Sequence, residues 1–271
     1  MKKVGLLLGL LAFTGIASAA YNSTAQQLID TLTHNQAKIE QSFTAVGGLH
    51  GFVVAPKQGG PAGIVYTNAN NQYLITGNVF DAKGNNLTEQ YTNQYIYSKM
   101  AQQAYTQGVD LLHWFSEGVQ SAPHKAYVLF DPNCAYCHML YQELQPLIQK
   151  GVLQIRWIPV AIRPNSTGKS ARILYASTNK ARAALLAQDE ASFDMQTEQG
   201  GLKALQRNSS DPAVDEAYSQ VADNTHFFIS QNYIGTPVIL YRDHNGTPQI
   251  TPGYLHGAAL QDMINKMASE W

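Results

Sequence analysis

Cysteine is nearly absent: the chain of 271 residues has two, Cys134 and Cys137, with two residues between them. That scarcity excludes a scaffold stapled by disulfides, the common use of cysteine in small exported domains. A bond across so short a loop also removes little entropy from the unfolded chain. With no second cysteine pair, a zinc site would have to be completed by histidines. Charge is scarce as well, at 14% of residues against 45% hydrophobic, with a net of −1. This composition suits globular folding and excludes disorder. It offers no basic footprint for nucleic acid. The chain has no charge run, low-complexity tract or strong internal repeat. Its longest apolar run falls short of the roughly 20 residues of a membrane span, so no membrane insertion is expected.

What is present begins with a leader. Lys2 and Lys3 precede an apolar run from Val4 to about Ile16, and Ala17-Ser18-Ala19-Ala20 supplies small residues for cleavage. Residues 1–19 therefore read as a secretory signal peptide, and the short Met-Lys-Lys start points to a bacterial periplasm. Loss of Lys2 and Lys3 takes 18 basic residues to 16 against 19 acidic ones, a net of −3. At roughly 150 residues per domain, the length suggests two domains.

Ser23 to Val46 carries Leu28, Leu32, Ile39, Phe43 and Val46 at helical spacing, which predicts a helix ended by Gly47-Gly48. Three strands are expected after it, His50 to Ala55, Gly63 to Thr67 and Gln72 to Phe80, separated by Gly/Pro/Asn clusters. Residues 20–86 thus form a small N-terminal domain of one helix and an antiparallel sheet. Such a unit gains from pairing with a second copy. Residues 87–120 lack proline and read as a helical connector. From 121 to 271 the grammar changes: strands at Lys125–Phe130, Val152–Val160, Val238–Arg242 and Gln249–Thr251, a hairpin at Asn245-Gly246, and a terminal helix over Ala258–Ala268. A mostly helical insertion occupies about 165–232, with breaks near Gly200-Gly201 and Ser209–Pro212.

The chemistry centres on Cys134-Ala135-Tyr136-Cys137. A free thiol titrates near about 8.5, and a thiolate is needed for reaction. The strand Lys125–Phe130 and the Asp131-Pro132-Asn133 turn place Cys134 at a helix start. There, unpaired N–H groups and the helix dipole favour the anion. Cys137 follows three residues later on the same face. Cys134 is the expected attacking thiol and Cys137 the resolving one, with Ala135 and Tyr136 tuning the pair. Cys134 to His138 also matches a c-type haem attachment motif. The strand–turn–helix setting, and the distant Thr236-Pro237, favour a redox pair needing no cofactor or metal. His138 reads either as a solvated helix residue that tunes the thiol weakly or as a group with a specific role.

Phe130-Asp131-Pro132-Asn133-Cys134-Ala135-Tyr136-Cys137-His138, together with Gly235-Thr236-Pro237-Val238, resembles the periplasmic disulfide isomerase family of DsbC and DsbG. The resemblance spans essentially the whole mature chain and is closer to DsbG, because the second cysteine pair of DsbC is missing. It implies a mixed α+β and α/β architecture: an N-terminal dimerisation domain, a helical linker and a thioredoxin-like domain carrying the insertion. It further implies a homodimer, a cis Pro237 beside the cysteines, and Thr236 binding substrate backbone, with Tyr136 and Ala135 also facing substrate. Exported proteins with disulfides or oxidised cysteines would be the substrates, and a membrane protein of the DsbD type the electron donor. Ala135 departs from the proline of DsbG and the glycine of DsbC, which leaves direction open. Isomerase or reductase is the expected activity. A dimeric DsbA-like oxidase and a holdase chaperone binding without redox chemistry are the alternatives.

Overall fold

The computed structural model describes residues 14–207 and 210–271, with side chains from residue 23 onward. The expected leader lies for the most part outside these residues. By Cα proximity the chain divides after Ile96 into two compact units.

The first unit begins with helix α1 (Thr14–Thr33), followed by strands β1 (Ala37–Thr44), β2 (His50–Pro56), β3 (Gly63–Thr67) and β4 (Leu74–Ile75), and then helix α2 (Leu87–Thr92). The four strands form one antiparallel sheet in chain order. The helix expected to run to Val46 stops at Thr33. His34 and Asn35 adopt positive φ (50° and 62°) there, which ends a helix of L-residues. Ile39 and Phe43, four apart, satisfy a helical face and a strand face alike. A bulge between Ile39 and Gln41 completes the ambiguity. Phe43 lies opposite Gly51, where a Cβ would come within 2.2 Å of its ring. That ring also stacks on Tyr95 at 4.3 Å. The expected strand from Gln72 to Phe80 shrinks to Leu74–Ile75, with Tyr73 and Phe80 exposed and Gly77 at φ 115° turning the chain away.

The second unit follows a π-helical turn at Asn93–Tyr97. It contains α3 (Ser98–Thr106), β5 (Phe115–Glu117), β6 (His124–Phe130), α4 (Ala135–Gln149), β7 (Leu153–Pro159), α5 (Ser166–Tyr175), α6 (Asn179–Glu190), α7 (Pro212–Ser230), β8 (Val238–Arg242), β9 (Pro248–Pro252) and α8 (Gly257–Lys266). The connector expected to be helical as far as Gly118 ends its helix at Thr106. Gly108 takes a left-handed conformation (φ 86°), and Phe115–Glu117 pairs antiparallel with β7. Gly118 (φ 96°) closes that strand against the Leu153 carbonyl, which a Cβ would approach to 2.5 Å, so glycine is required there.

The sheet order is β5-β7-β6-β8-β9, with β6 and β7 parallel and the other neighbours antiparallel. Strand β6 is buried on both faces, and its residues alternate between two cores. Ala126, Val128 and Phe130 join Leu140, Leu144 and Ile148 of α4 and Leu260 and Ile264 of α8. Tyr127 and Leu129 join Ala101 and Ala104 of α3 and Phe227 and Phe228 of α7. Fully burying a large apolar side chain contributes about 1.5–3 kcal/mol, so this two-sided layer makes β6 and the start of α4 a stiff platform. Asn245-Gly246 forms the expected hairpin, with Gly246 at φ 76°. Of the insertion, α5, α6 and α7 are helical, while 191–211 has no helix among its described residues. No helix among the described residues is long and apolar enough to cross a membrane.

Candidate active site

The two cysteines sit where β6 hands over to α4. Asp131, fully buried, organises that hand-over. Its carboxylate accepts the N–H of Asn133 (2.8 Å), Ile162 (2.8 Å) and Arg163 (2.9 Å) and the Ser166 hydroxyl, tying the turn to the segment after β7. Asn133 adds a bond from its side-chain nitrogen to the Pro164 carbonyl at 2.9 Å. Cys134 is thereby fixed as the N-cap residue of α4 (φ −109°, ψ 115°), and its carbonyl accepts the N–H of Cys137 and His138 at 3.0 and 3.1 Å.

Both thiols are free and buried, with Cys134 2% and Cys137 3% exposed. Cys134 Sγ lies 3.3 Å from the Thr236 carbonyl oxygen. The pairing of β6 with β8, in the register Leu129↔Val238, brings these residues together across a hundred positions of sequence. The Thr236–Pro237 peptide is cis, and the Pro237 carbonyl accepts the Gly253 N–H at 2.8 Å. The Thr236 hydroxyl is buried without a hydrogen-bond partner.

The electrostatics separate the two thiols. The Cys137 thiol donates to the Cys134 sulfur, and this is the largest cause of a Cys134 pKa lowered to about 6; burial opposes it, while the N–H groups of Cys137 and Tyr136 help. Burial, reinforced by the neighbouring Cys134, pushes Cys137 well above its ordinary value. One sulfur is thus poised as a thiolate at neutral pH and the other as a thiol. Coupled pairs titrate together in this way.

The remaining expected residues fall around this pair. Ala135 is buried in the first turn, and Tyr136 is 56% exposed. The Tyr136 ring stacks on Tyr254 at a centroid distance of 6.5 Å. His138 differs from the solvated residue of one expectation. It is buried, its Nδ1 bonds Glu190, and it stacks on Phe193 at 4.5 Å. Glu190, which bonds His138, and the Lys169–Asp189 ion pair come from the helical insertion and were not foreseen. The one signal in the sequence was Asp189-Glu190 at the C-terminal end of a helix, where the dipole disfavours negative charge.

Comparison with known proteins follows the same division of the chain. The family described as a thioredoxin-like domain matches residues 117–268. The family described as the disulfide bond isomerase protein N-terminal domain matches residues 17–89. The thiol:disulfide interchange protein DsbG of Pseudomonas aeruginosa is 30% identical over 240 residues, covering 88% of this chain and 87% of that protein. DsbG of Escherichia coli is 27% identical over 216 residues, covering 79% and 81%. Among solved structures, Proteus mirabilis ScsC in a compact conformation aligns with 66% of this chain and 84% of its own at 18% identity, with a TM-score of 0.45.

Proposed function

Because the chain belongs to the DsbC/DsbG family of thiol:disulfide interchange proteins, on the DsbG side, we propose that it is a periplasmic disulfide isomerase or reductase of exported proteins. The observation that carries this reading is the asymmetric cysteine pair: Cys134 at the N-cap of α4, held toward the thiolate by Cys137, with its sulfur against the Thr236 carbonyl.

In the reaction, the Cys134 thiolate attacks one sulfur of a substrate disulfide. A Cys134–substrate disulfide forms, the substrate S–S bond breaks, and the second substrate sulfur leaves as a thiolate. In isomerisation that thiolate, or another in the substrate, attacks the mixed disulfide and returns Cys134 as a thiolate with a rearranged substrate bond. In reduction Cys137 loses its proton and attacks the Cys134 sulfur. The substrate leaves with both thiols, and two electrons have passed from the protein, which now holds the Cys134–Cys137 disulfide. A membrane donor of the DsbD type would restore the dithiol. Thr236, with cis Pro237, offers backbone for an extended substrate segment, while Ala135 and Tyr136 border the attacking sulfur. No cofactor or metal enters this chemistry. The match of residues 17–89 to the isomerase N-terminal family supports a homodimer joined through that domain, and the leader motif supports export.

A second reading, a disulfide-donating oxidase, is favoured by the depressed Cys134 pKa, since a stabilised thiolate makes the corresponding disulfide more oxidising. Refolding of scrambled ribonuclease separates the two. Isomerase activity requires recovery with the reduced protein and its loss in Cys134→Ala, and recovery that persists in Cys134→Ala refutes the assignment.

A further inference from the structure

Tyr136 stands two residues after Cys134 and is 56% exposed, so the fold does not use it to fill the core. Its ring lies near-parallel to that of Tyr254, at a centroid distance of 6.5 Å and an interplanar angle of 28°. Tyr254 repeats the relation with the exposed His256, at 5.7 Å and 19°. Near-parallel rings at such separations are offset sideways rather than eclipsed. The three rings therefore form a stepped row that starts at the cysteine motif and leaves aromatic faces open to solvent.

The row is held from several directions. Tyr254 and His256 belong to the short connection between β9 and α8. Gly253, at φ 89°, turns the chain there, and its N–H donates to the Pro237 carbonyl at 2.8 Å. That bond ties the connection to the cis-proline loop, whose Thr236 carbonyl meets the Cys134 sulfur. From the other side, the Tyr254 hydroxyl donates to Glu143 of α4 at 3.3 Å, and Leu255 packs on the core shared by α4 and α8. His256 is the N-cap residue of α8, and its carbonyl accepts the Leu260 N–H at 3.5 Å. A surface fixed in this way loses little conformational freedom when a ligand covers it.

We propose that Tyr136, Tyr254 and His256 form a subsite that selects an aromatic side chain flanking the attacked cysteine of a substrate protein. The inference rests on Cys134 being the attacking thiolate and adds a substrate preference to that reading. The occupant follows from continuity with the reaction centre, since a substrate cysteine bonded to Cys134 brings its neighbours beside Tyr136. Side chains on one face of an extended chain recur every two residues, about 6.6 Å at about 3.3 Å per residue. The steps of the row, 6.5 and 5.7 Å, match that interval. Ring faces attract other rings beyond the area they bury, whereas an aliphatic side chain gains the area alone. Glu143, the charged side chain bonded to the row, is exposed, so solvent screens its pull on a substrate cation.

The test uses the mature chain carrying Cys137→Ala, which keeps substrate on Cys134 as a mixed disulfide because the resolving thiol is gone. Two short peptides compete for it in equal amounts. Each has one cysteine, bonded to glutathione and flanked on both sides by phenylalanine or by leucine. Intact mass gives the ratio of the two peptide adducts, which does not depend on how reactive Cys134 itself is. Phenylalanine should lead leucine by about three- to tenfold. The lead should shrink toward parity when His256→Ala or Tyr254→Ala is added, and persist with Tyr254→Phe, which keeps the ring. A merely structural loss slows both peptides alike and leaves their ratio where it was. Parity in the parent or in Tyr254→Phe, an unchanged lead in either alanine variant, or an arginine-flanked peptide that outcompetes phenylalanine overturns the subsite and leaves the Cys134 chemistry standing. Failure to form an adduct with any of the peptides overturns the proposed function, and the subsite with it.

Discussion

Replacing Cys137 by alanine removes the thiol donor that does most to lower the Cys134 pKa. A hydrogen bond to a charged group is worth about 1.5–3 kcal/mol. At about 1.4 kcal/mol per unit, its loss moves the Cys134 titration up by roughly one to two units. The consequence for rate depends strongly on pH. Near pH 7 the thiolate fraction falls from about nine-tenths to between roughly a half and a tenth. Each remaining thiolate, however, is about three- to eightfold more nucleophilic, so alkylation at neutral pH stays within about twofold of wild type. Near pH 5 the thiol form dominates in both proteins, and the loss of thiolate outweighs the gain in nucleophilicity. There the variant should react about three- to elevenfold more slowly. The assay is single-turnover alkylation with iodoacetamide across this range, with ultraviolet thiolate absorbance giving the midpoint independently. An unmoved midpoint and an unchanged rate near pH 5 would refute the reasoning and assign the thiolate to the α4 N-terminus instead.

Three further outcomes are expected. Asp131→Ala strands three backbone N–H groups and the Ser166 hydroxyl, so urea denaturation should register a loss of about 3–5 kcal/mol; a loss below about 1 kcal/mol would contradict the organising role of Asp131. Thr236→Val removes a buried hydroxyl that has no hydrogen-bond partner. Stability by thermal melting should therefore change by less than about 1 kcal/mol, and the Cys134 midpoint should stay below that of Cys137→Ala. The pH dependence of the reduced protein's stability should carry two opposed slopes. Glu190, raised to about 8, leaves the folded state holding the extra proton above the ordinary carboxylate range, so stability falls with rising pH until that titration is passed. Cys134, lowered to about 6, leaves the unfolded state holding the extra proton, so stability rises from about 6 to the ordinary thiol value. Denaturant titrations of Cys134→Ala should lose the rising limb and keep a falling one.

The second unit was legible where local grammar and tertiary placement agree. Strand β6 and helix α4 announced themselves through an apolar run, a turn and a 3–4 repeat, and the Asn245-Gly246 hairpin through its turn residues. Thr236-Pro237 could be singled out as a motif, but only the pairing of β6 with β8 puts its carbonyl 3.3 Å from Cys134. Where the sequence misled, a local break outweighed periodicity. Two consecutive residues at positive φ, His34 and Asn35, turn what reads as one long helix into a helix and a strand. Strand β5 was hidden in a stretch without proline because its stability comes from β7, which follows it by some forty residues. Glu190 was out of reach for a similar reason. It stands 52 residues from His138, in a different helix, and its burial depends on how α6 packs beside α4. Such packing leaves no pattern in the sequence beyond an acidic pair at an unfavourable helix end.

The most direct test of the functional account is the redox state of Cys134 and Cys137 in intact cells, read by trapping free thiols with an alkylating mass tag. An isomerase or reductase served by a dedicated electron donor should carry both tags on most molecules. A pair found fully oxidised would contradict that account and make the protein a disulfide donor.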